Sequence, residues 1–333
     1  TPATEANSFE AKTYTGNGGT QSITLSNGMK PDFSWVKDRD SNESHQLANS
    51  VTGVPGTLNT NGTGGLYVDS TYQFRSFDNN GFTVKDNTPG HYGVNGNGID
   101  YISWNWKAAD HDRDLATINQ DGSITSLVSA NQAAGFSIVK YNVGTQSNSQ
   151  KIGHGLESPP EIIIDKVINS GGYGWTVYTQ PTGLENALTL NSTGAVSSYA
   201  DFCSVVNDSI FQSKYTSASN TQHIAYCFTS ITSYQKIGSY SGGSTDTIVT
   251  GFQPRFLMVK KTNESGTGWY MFDNARNPSN PRDLTLFANS SAAESVQGSF
   301  YQPSFLSNGF SFPVANGSGV NISGGEYIYL AIA

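Results

Sequence analysis

The chain has 333 residues, room for two or three domains of roughly 100 to 150 residues, each able to bury a core of its own. Charged residues are only 13% of it while Gly numbers 36, so the surface is solubilised by Ser, Thr, Asn and Gly, which excludes a mainly helical protein; 17 Tyr, 17 Phe and 5 Trp exclude a disordered one. A net charge of −8 and the lack of any apolar run near the roughly 20 residues of a membrane span argue against nucleic-acid binding and membrane insertion.

The elements recur in three copies. The chain first shows an extended segment ending in Tyr with a Gly close behind, Phe9 to Tyr14 with Gly16, and this returns as Phe136 to Tyr141 with Gly144 and as Gln235 to Tyr240 with Gly242. Next comes a strand entered by Pro and closed six residues later by Lys: Pro31 to Lys37, Pro160 to Lys166 and Pro254 to Lys260. Nine residues past that Lys, the second and third copies place Gly174-Trp175 and Gly268-Trp269, where the first has Gln46 beside His45. Asn191 to Ala195 answers Asn289 to Ala293, with a looser relative at Asn59 to Gly62. The turn Asn80-Gly81-Phe82 returns as Asn308-Gly309-Phe310 and is degraded to Ser209-Ile210-Phe211 in the second copy. Each copy closes on an alternating strand whose apolar parity is Ile102, Trp104 and Trp106, then Ile224, Tyr226 and Phe228, then Ile328, Leu330 and Ile332.

These spacings predict an all-β chain of three tandem antiparallel β-sandwich, jelly-roll-like modules, with the last two packed closely: module 1 over 1–106, a linker over 107–134, module 2 over 135–230 and module 3 over 231–333. The short connector Thr229 to Tyr234 also keeps open one larger sandwich built jointly from the last two copies. Lys107 to Ala134 is the most charged and most helix-compatible stretch. The sequence starts at Thr1 with no basic-then-apolar leader, which reads as a processed chain, a fragment, or numbering from where order begins. Cys203 and Cys227 leave one optional bridge and no metal spacing.

The series Phe-x4-Tyr-x-Gly, Pro with Val-Lys, Gly-Trp, Asn-Ser-Ser/Thr, Asn-Gly-Phe and Tyr-Ile resembles a module repeated in tail and other virion proteins of bacteriophages, especially marine and cyanobacterial phages, and likened to concanavalin A-like or SPRY-like sandwiches. The resemblance covers nearly the whole chain outside 107–134. It implies a virion surface protein, a tail fibre or receptor-binding adhesin that meets host cell-surface polysaccharide and other virion proteins. Homotrimerisation is left open, and a capsid decoration or head fibre protein is the near alternative. From another class comes a secreted polysaccharide-degrading enzyme or free lectin. Because the matched positions are turns and core, the resemblance carries over no catalytic residue.

The residues themselves point to binding without catalysis, cofactor or metal. Glu161 and Asp165 are the most enzyme-like pair, but four residues along a strand separate carboxylates by about 13 Å, beyond either glycosidase geometry, so both are expected on an outward strand face. Asp110, Asp112, Asp114 and Asp121 make a poor calcium loop because Leu115 stands where a sharp-turn Gly is needed. The five His are scattered, and His154 and His223 read as satisfied turn or strand residues. Trp35, Trp104 and Trp106 read as core, and Trp175 and Trp269 as core or domain-surface packing. Ligand contacts are then expected on copy-specific loops: His91 and Tyr92 within 88–97, Tyr173 within 169–173, and Arg276 and Arg282 within 274–283.

Overall fold

The computed structural model describes residues 7–333 except 70–72, 87–92, 109–115, 145–148, 201, 214–219, 297, 299–300 and 314–318. Among the described residues the regular structure is antiparallel strand, with a short 3-10 turn at Gln180–Thr182 and no α-helix. No sheet draws strands from two of the three copies, so the N-terminal, middle and C-terminal lobes each keep their own pairings.

One strand order recurs in every lobe. The opening strand pairs with the closing strand, and the closing strand pairs with the strand that follows the Pro: Phe9–Thr15, Asp100–Trp106 and Phe33–Asp38; Phe136–Val143, Thr221–Phe228 and Ile162–Val167; Gln235–Ser241, Glu326–Ile332 and Phe256–Lys261. Register is conserved to the residue: Trp104 lies between Ala11 and Trp35, Tyr226 between Ile138 and Ile164, and Leu330 between Ile237 and Met258. A three-stranded sheet accompanies each of these large sheets, formed by Thr20–Thr24, Gly81–Lys85 and Gln73–Asp78 in the N-terminal lobe, by Gln150–Gly153, Ile210–Ser213 and Phe202–Val206 in the middle one, and by Ile248–Val249, Gly309–Ser311 and Ser304–Leu306 in the C-terminal one. Gly81 and Gly309 open the middle strand of two of these sheets at φ 152° and 155°; a Cβ there would come within 1.9 Å and 2.1 Å of the Ile23 and Ile248 carbonyl oxygens.

Each large sheet is covered on both faces. One parity meets the lobe's own small sheet, giving three separate cores around Val36, Phe82 and Tyr101, around Val139, Ile163 and Phe211, and around Leu257, Phe310 and Tyr329. At equivalent places in these cores aromatic rings stack, Tyr14 on Tyr101 at 5.1 Å, Tyr141 on His223 at 4.9 Å and Tyr240 on Tyr327 at 4.8 Å. The other parity, which carries the closing-strand residues Ile102, Trp104, Trp106, Ile224, Tyr226, Phe228, Ile328 and Leu330, is buried in a single core that all three lobes share. Phe33 touches Tyr226 with ring centroids 4.4 Å apart, and Phe256 touches Trp106 at 6.0 Å. The void left where the lobes meet is about 10 Å³, lined by apolar side chains such as Phe33, Trp106, Tyr226 and Leu330, so it is packed core and holds no ligand. The shared core therefore does not single out the last two lobes as a pair.

Backbone hydrogen bonds link the lobes in a closed cycle. Leu66 N donates to Ile168 O at 2.7 Å, Val196 N to Thr262 O at 2.8 Å and Glu294 N to Arg39 O at 2.8 Å, so the N-terminal lobe bonds the middle one, the middle the C-terminal, and the C-terminal the N-terminal. Counted from the Asn of each turn (Asn61, Asn191 and Asn289) the three donors are equivalent, and counted from Lys37, Lys166 and Lys260 so are the three acceptors. Head-to-tail contacts that close in this way make a ring.

The expected linker differs from its reading. Thr117–Asn119 and Ser126–Asn131 form a hairpin that adds to the middle sheet, with Ser129 opposite Ile138. In the other two lobes the opening strand is a sheet edge; here the hairpin covers it. The Asp110 to Asp114 run lies outside the described residues, and Asp121 accepts from Asn119 at 2.8 Å.

Candidate functional site

The ring's three junctions share one design. Trp175 Nε1 donates to Asn59 O at 2.9 Å and Trp269 Nε1 to Thr189 O at 3.1 Å, each crossing to the neighbouring lobe. The backbone N–H groups of these two tryptophans are held by Asn191 and Asn289, both at 2.8 Å. In the N-terminal lobe His45 takes the tryptophan's place: its N–H is held by Asn61 Oδ1 at 3.1 Å and its Nε2 lies 3.0 Å from Phe287 O. Nδ1 accepts from the Trp35 indole at 2.8 Å, so in a neutral ring the proton sits on Nε2 and the imidazole donates as an indole would. Burial, foremost, and then Lys37 push the His45 pKa down to about 3. The copy that seemed to lack the tryptophan thus supplies an equivalent donor one residue before Gln46.

Lys166 and Lys260 donate across the same junctions, to Thr63 O at 3.2 Å and Thr193 O at 3.3 Å, and back to their own loops at Tyr173 O and Thr267 O. Burial pushes the pKa of both amines down to about 8. At the third junction a charged cluster takes over. Glu294 receives Arg39 at 2.7 Å and Arg276 at 2.9 Å, Arg276 also meets Asp273 at 2.6 Å, and Trp104 Nε1 donates to Asp273 at 3.0 Å.

Between the N-terminal and middle lobes the junction opens into a groove of about 660 Å³, lined by Gln46, Asn59, Gly64, Gly65, Leu66, Tyr67, Gln73, Ile168, Asn169, Ser170 and Gly171. Two loops approach closely at Gly65, where a Cβ would fall 2.8 Å from Ile168 O. Among the described residues no lining side chain bears a formal charge. The Oε1 atoms of Gln46 and Gln73 are buried without a hydrogen-bond partner, and Gln73 holds φ at 142°, a backbone region that side-chain-bearing residues rarely occupy. Tyr67 stands 47% exposed on the rim. Amides, hydroxyls and an aromatic face without charge suit a neutral polyhydroxylated ligand, whose hydroxyls pair with amides and whose C–H faces pack on a ring.

The sequence-predicted contacts are scattered by the fold. His91 and Tyr92 lie outside the described residues. Asn169, Ser170 and Gly171 of the 169–173 loop do line the groove, whereas Tyr173 is half-buried and contributes its carbonyl to Lys166. Arg276 is no surface contact: it is buried between Asp273 and Glu294, 5.6 Å over the Trp104 ring. Arg282 lies apart, in a separate pocket of the C-terminal lobe with Arg255 and Asn274. Gln46, Gln73 and Tyr67 were not singled out as contacts, because they share a groove with Ile168 to Gly171 only where two lobes meet.

Asp165 also departs from its reading. It faces the small sheet, fully buried, accepting from Tyr141 OH at 2.7 Å and meeting His223 Nδ1 at 2.8 Å, while Glu161 accepts from Ser230 Oγ at 2.7 Å. His154 and His223 are buried and hydrogen-bonded, as their positions suggested. Cys203 and Cys227 are buried free thiols whose pKa values burial raises. Among the described residues no group of three His, Cys, Asp or Glu side chains is gathered for a metal, and no helix is long and apolar enough to cross a membrane.

Fold and site together define an all-β protein of sandwiched sheets with an uncharged, amide-lined groove between lobes. The chain belongs to the family described as a domain of unknown function, DUF7483, which matches residues 4–333 and so spans all three lobes. A search of curated proteins finds no match to it.

Proposed function

We propose that the chain is three tandem β-sandwich modules of jelly-roll-like form, and that it is a bacteriophage virion surface protein, a tail fibre or receptor-binding adhesin, which binds host surface polysaccharide without cleaving it. The groove carries the binding part of this reading: a strained Gln73, the Asn59 amide and an exposed Tyr67 line an uncharged cleft of about 660 Å³. The virion part rests on the motif resemblance. Attachment to the virion would bring other virion proteins as partners. A trimer of such chains would use faces other than the head-to-tail ones, since those close within one chain.

The test is titration of the purified protein with polysaccharide extracted from host cells, beside Tyr67→Ala and Asn59→Ala, two side chains of the groove lining. Affinity should fall by about tenfold in each variant, the loss of one ring contact or one amide bond, with the unfolding midpoint unchanged. Equal affinity in all three proteins would remove the groove from the reading.

The ring favours one second reading. A unit with three near-equivalent lobes presents a pseudo-threefold face, which suits a capsid decoration or head fibre protein seated at a site of matching symmetry. Immunogold labelling of intact particles separates the two, with label at the tail supporting the adhesin and label on the shell supporting decoration.

A further inference from the structure

A second pocket, of about 400 Å³, lies on the C-terminal lobe where the 274–283 loop folds over the entry to the Phe256–Lys261 strand; Gln253, Arg255, Asn274, Pro278, Arg282 and Ala333 are among the residues that line it. Arg282 is 5% exposed, and its Nε has no hydrogen-bond partner. Its Nη1 donates to Asn277 O, and its guanidinium sits 4.9 Å over the Phe305 ring. These contacts fix the side chain without neutralising it. Among the described residues no carboxylate pairs with Arg282: Asp273 is occupied by Arg276 and Trp104, and Asp283 accepts from Asn277. Arg255, exposed on the pocket rim, brings a second guanidinium, and among the described residues neither guanidinium forms an ion pair with the α-carboxylate of Ala333, which also lines the pocket.

A buried guanidinium that forms no ion pair is costly, Asp273 acting on Arg282 only at a distance, and a second cation beside it raises the cost. An anion in the pocket would remove both terms, and the planar fork of Arg matches two oxygens of one group. We propose that this pocket is an oxyanion site, seating a carboxylate or sulfate group between Arg255 and Arg282. The site is separate from the uncharged groove and does not depend on the glycan reading of it. On an acidic polysaccharide the same chemistry comes from a uronic acid or a sulfate ester.

The experiment follows the unfolding midpoint of the full chain against sodium sulfate and, separately, sodium glucuronate, with sodium chloride at matched ionic strength and glucose as controls. A saturable rise with sulfate, glucuronate or both, absent with chloride and glucose, is expected, and the anion that gives it identifies the source. The half-saturating concentration should rise by at least about tenfold in Arg255→Gln, which removes an exposed charge and leaves the fold intact, and in Arg282→Lys. Tyr67→Ala, in the other groove, should respond as the parent does. Midpoints that move no more with either anion than with chloride, or an Arg255→Gln protein that saturates like the parent, would overturn the proposal. Loss of the response in Tyr67→Ala would overturn the independence of the two sites.

Discussion

His45 Nε2 lies 3.0 Å from the carbonyl oxygen of Phe287, 242 residues further along the chain, and this bond completes a cycle that Trp175 and Trp269 carry at the other two junctions. An imidazole can replace an indole here only while it is neutral, since the ring must accept from Trp35 at Nδ1 and donate at Nε2 together.

Acid should therefore loosen the ring. The His45 pKa is held at about 3, below its ordinary 6.5, so between these values the unfolded chain binds a proton that the folded one does not. The stability it contributes is whole above pH 6.5 and declines below it, by up to about 1.4 kcal/mol per pH unit. His154, whose pKa burial also lowers, acts with the same sign. Urea midpoints measured from pH 7 to pH 5 should fall, and His45→Gln should flatten the slope while leaving the His154 share. An unchanged slope in that variant would mean that the ring protonates in place.

The Trp104 side chain is fully buried and reaches from the N-terminal lobe to Asp273 in the C-terminal one. Trp104→Ala removes its ring from the shared core and should cost about 3 to 5 kcal/mol through lost transfer and a residual cavity. An unchanged unfolding midpoint would show that the shared core does not depend on it.

The two arginines on Glu294 should differ. Arg276 is fully buried, so Glu294→Gln strips one of its two carboxylates, leaving Asp273, and should cost about 2 kcal/mol. Arg39 is 20% exposed and can turn to water, so Arg39→Ala should cost less than about 1 kcal/mol. Denaturant unfolding of the two variants gives the comparison, and equal losses would contradict the assignment of burial.

The repeats and the strand parity were legible because both are local. A period of two along Ile102, Trp104 and Trp106 names a buried face, and the structure buries it. Parity does not say against what. In each lobe that face meets the other lobes rather than its own small sheet, and the opposite parity is buried too, which is why Asp165 is enclosed where an outward position was expected. Arg276 was read as a loop contact because its partner Glu294 comes from across a turn and Arg39 from another lobe. The groove is harder still: Gln46 and Asn169 belong to different copies, and only ring closure brings them together.

Asp165, His223 and Thr221 form a row in which the acid meets Nδ1 at 2.8 Å and Nε2 shares a hydrogen bond with the hydroxyl at 2.9 Å, the order of a nucleophile relay. Asp165 and His223 are fully buried and Thr221 is 3% exposed, so a polysaccharide cannot reach the hydroxyl. The other lobes place Val36 with Tyr101, and Val259 with Tyr327, at the positions of Asp165 and His223, and keep the same ring stack. The row thus does a packing job in polar form, with Tyr141 completing the acid's bonds. Asp165→Asn should lower stability by about 1 to 3 kcal/mol, because a buried acceptor of charge-assisted bonds is weakened, and should leave polysaccharide binding as it was. Reducing ends released from purified host polysaccharide should stay at the level of the buffer blank for the parent protein, for Asp165→Asn and for Glu161→Gln. Release by the parent that vanishes in either variant would overturn the binding-only reading and make this protein a depolymerase.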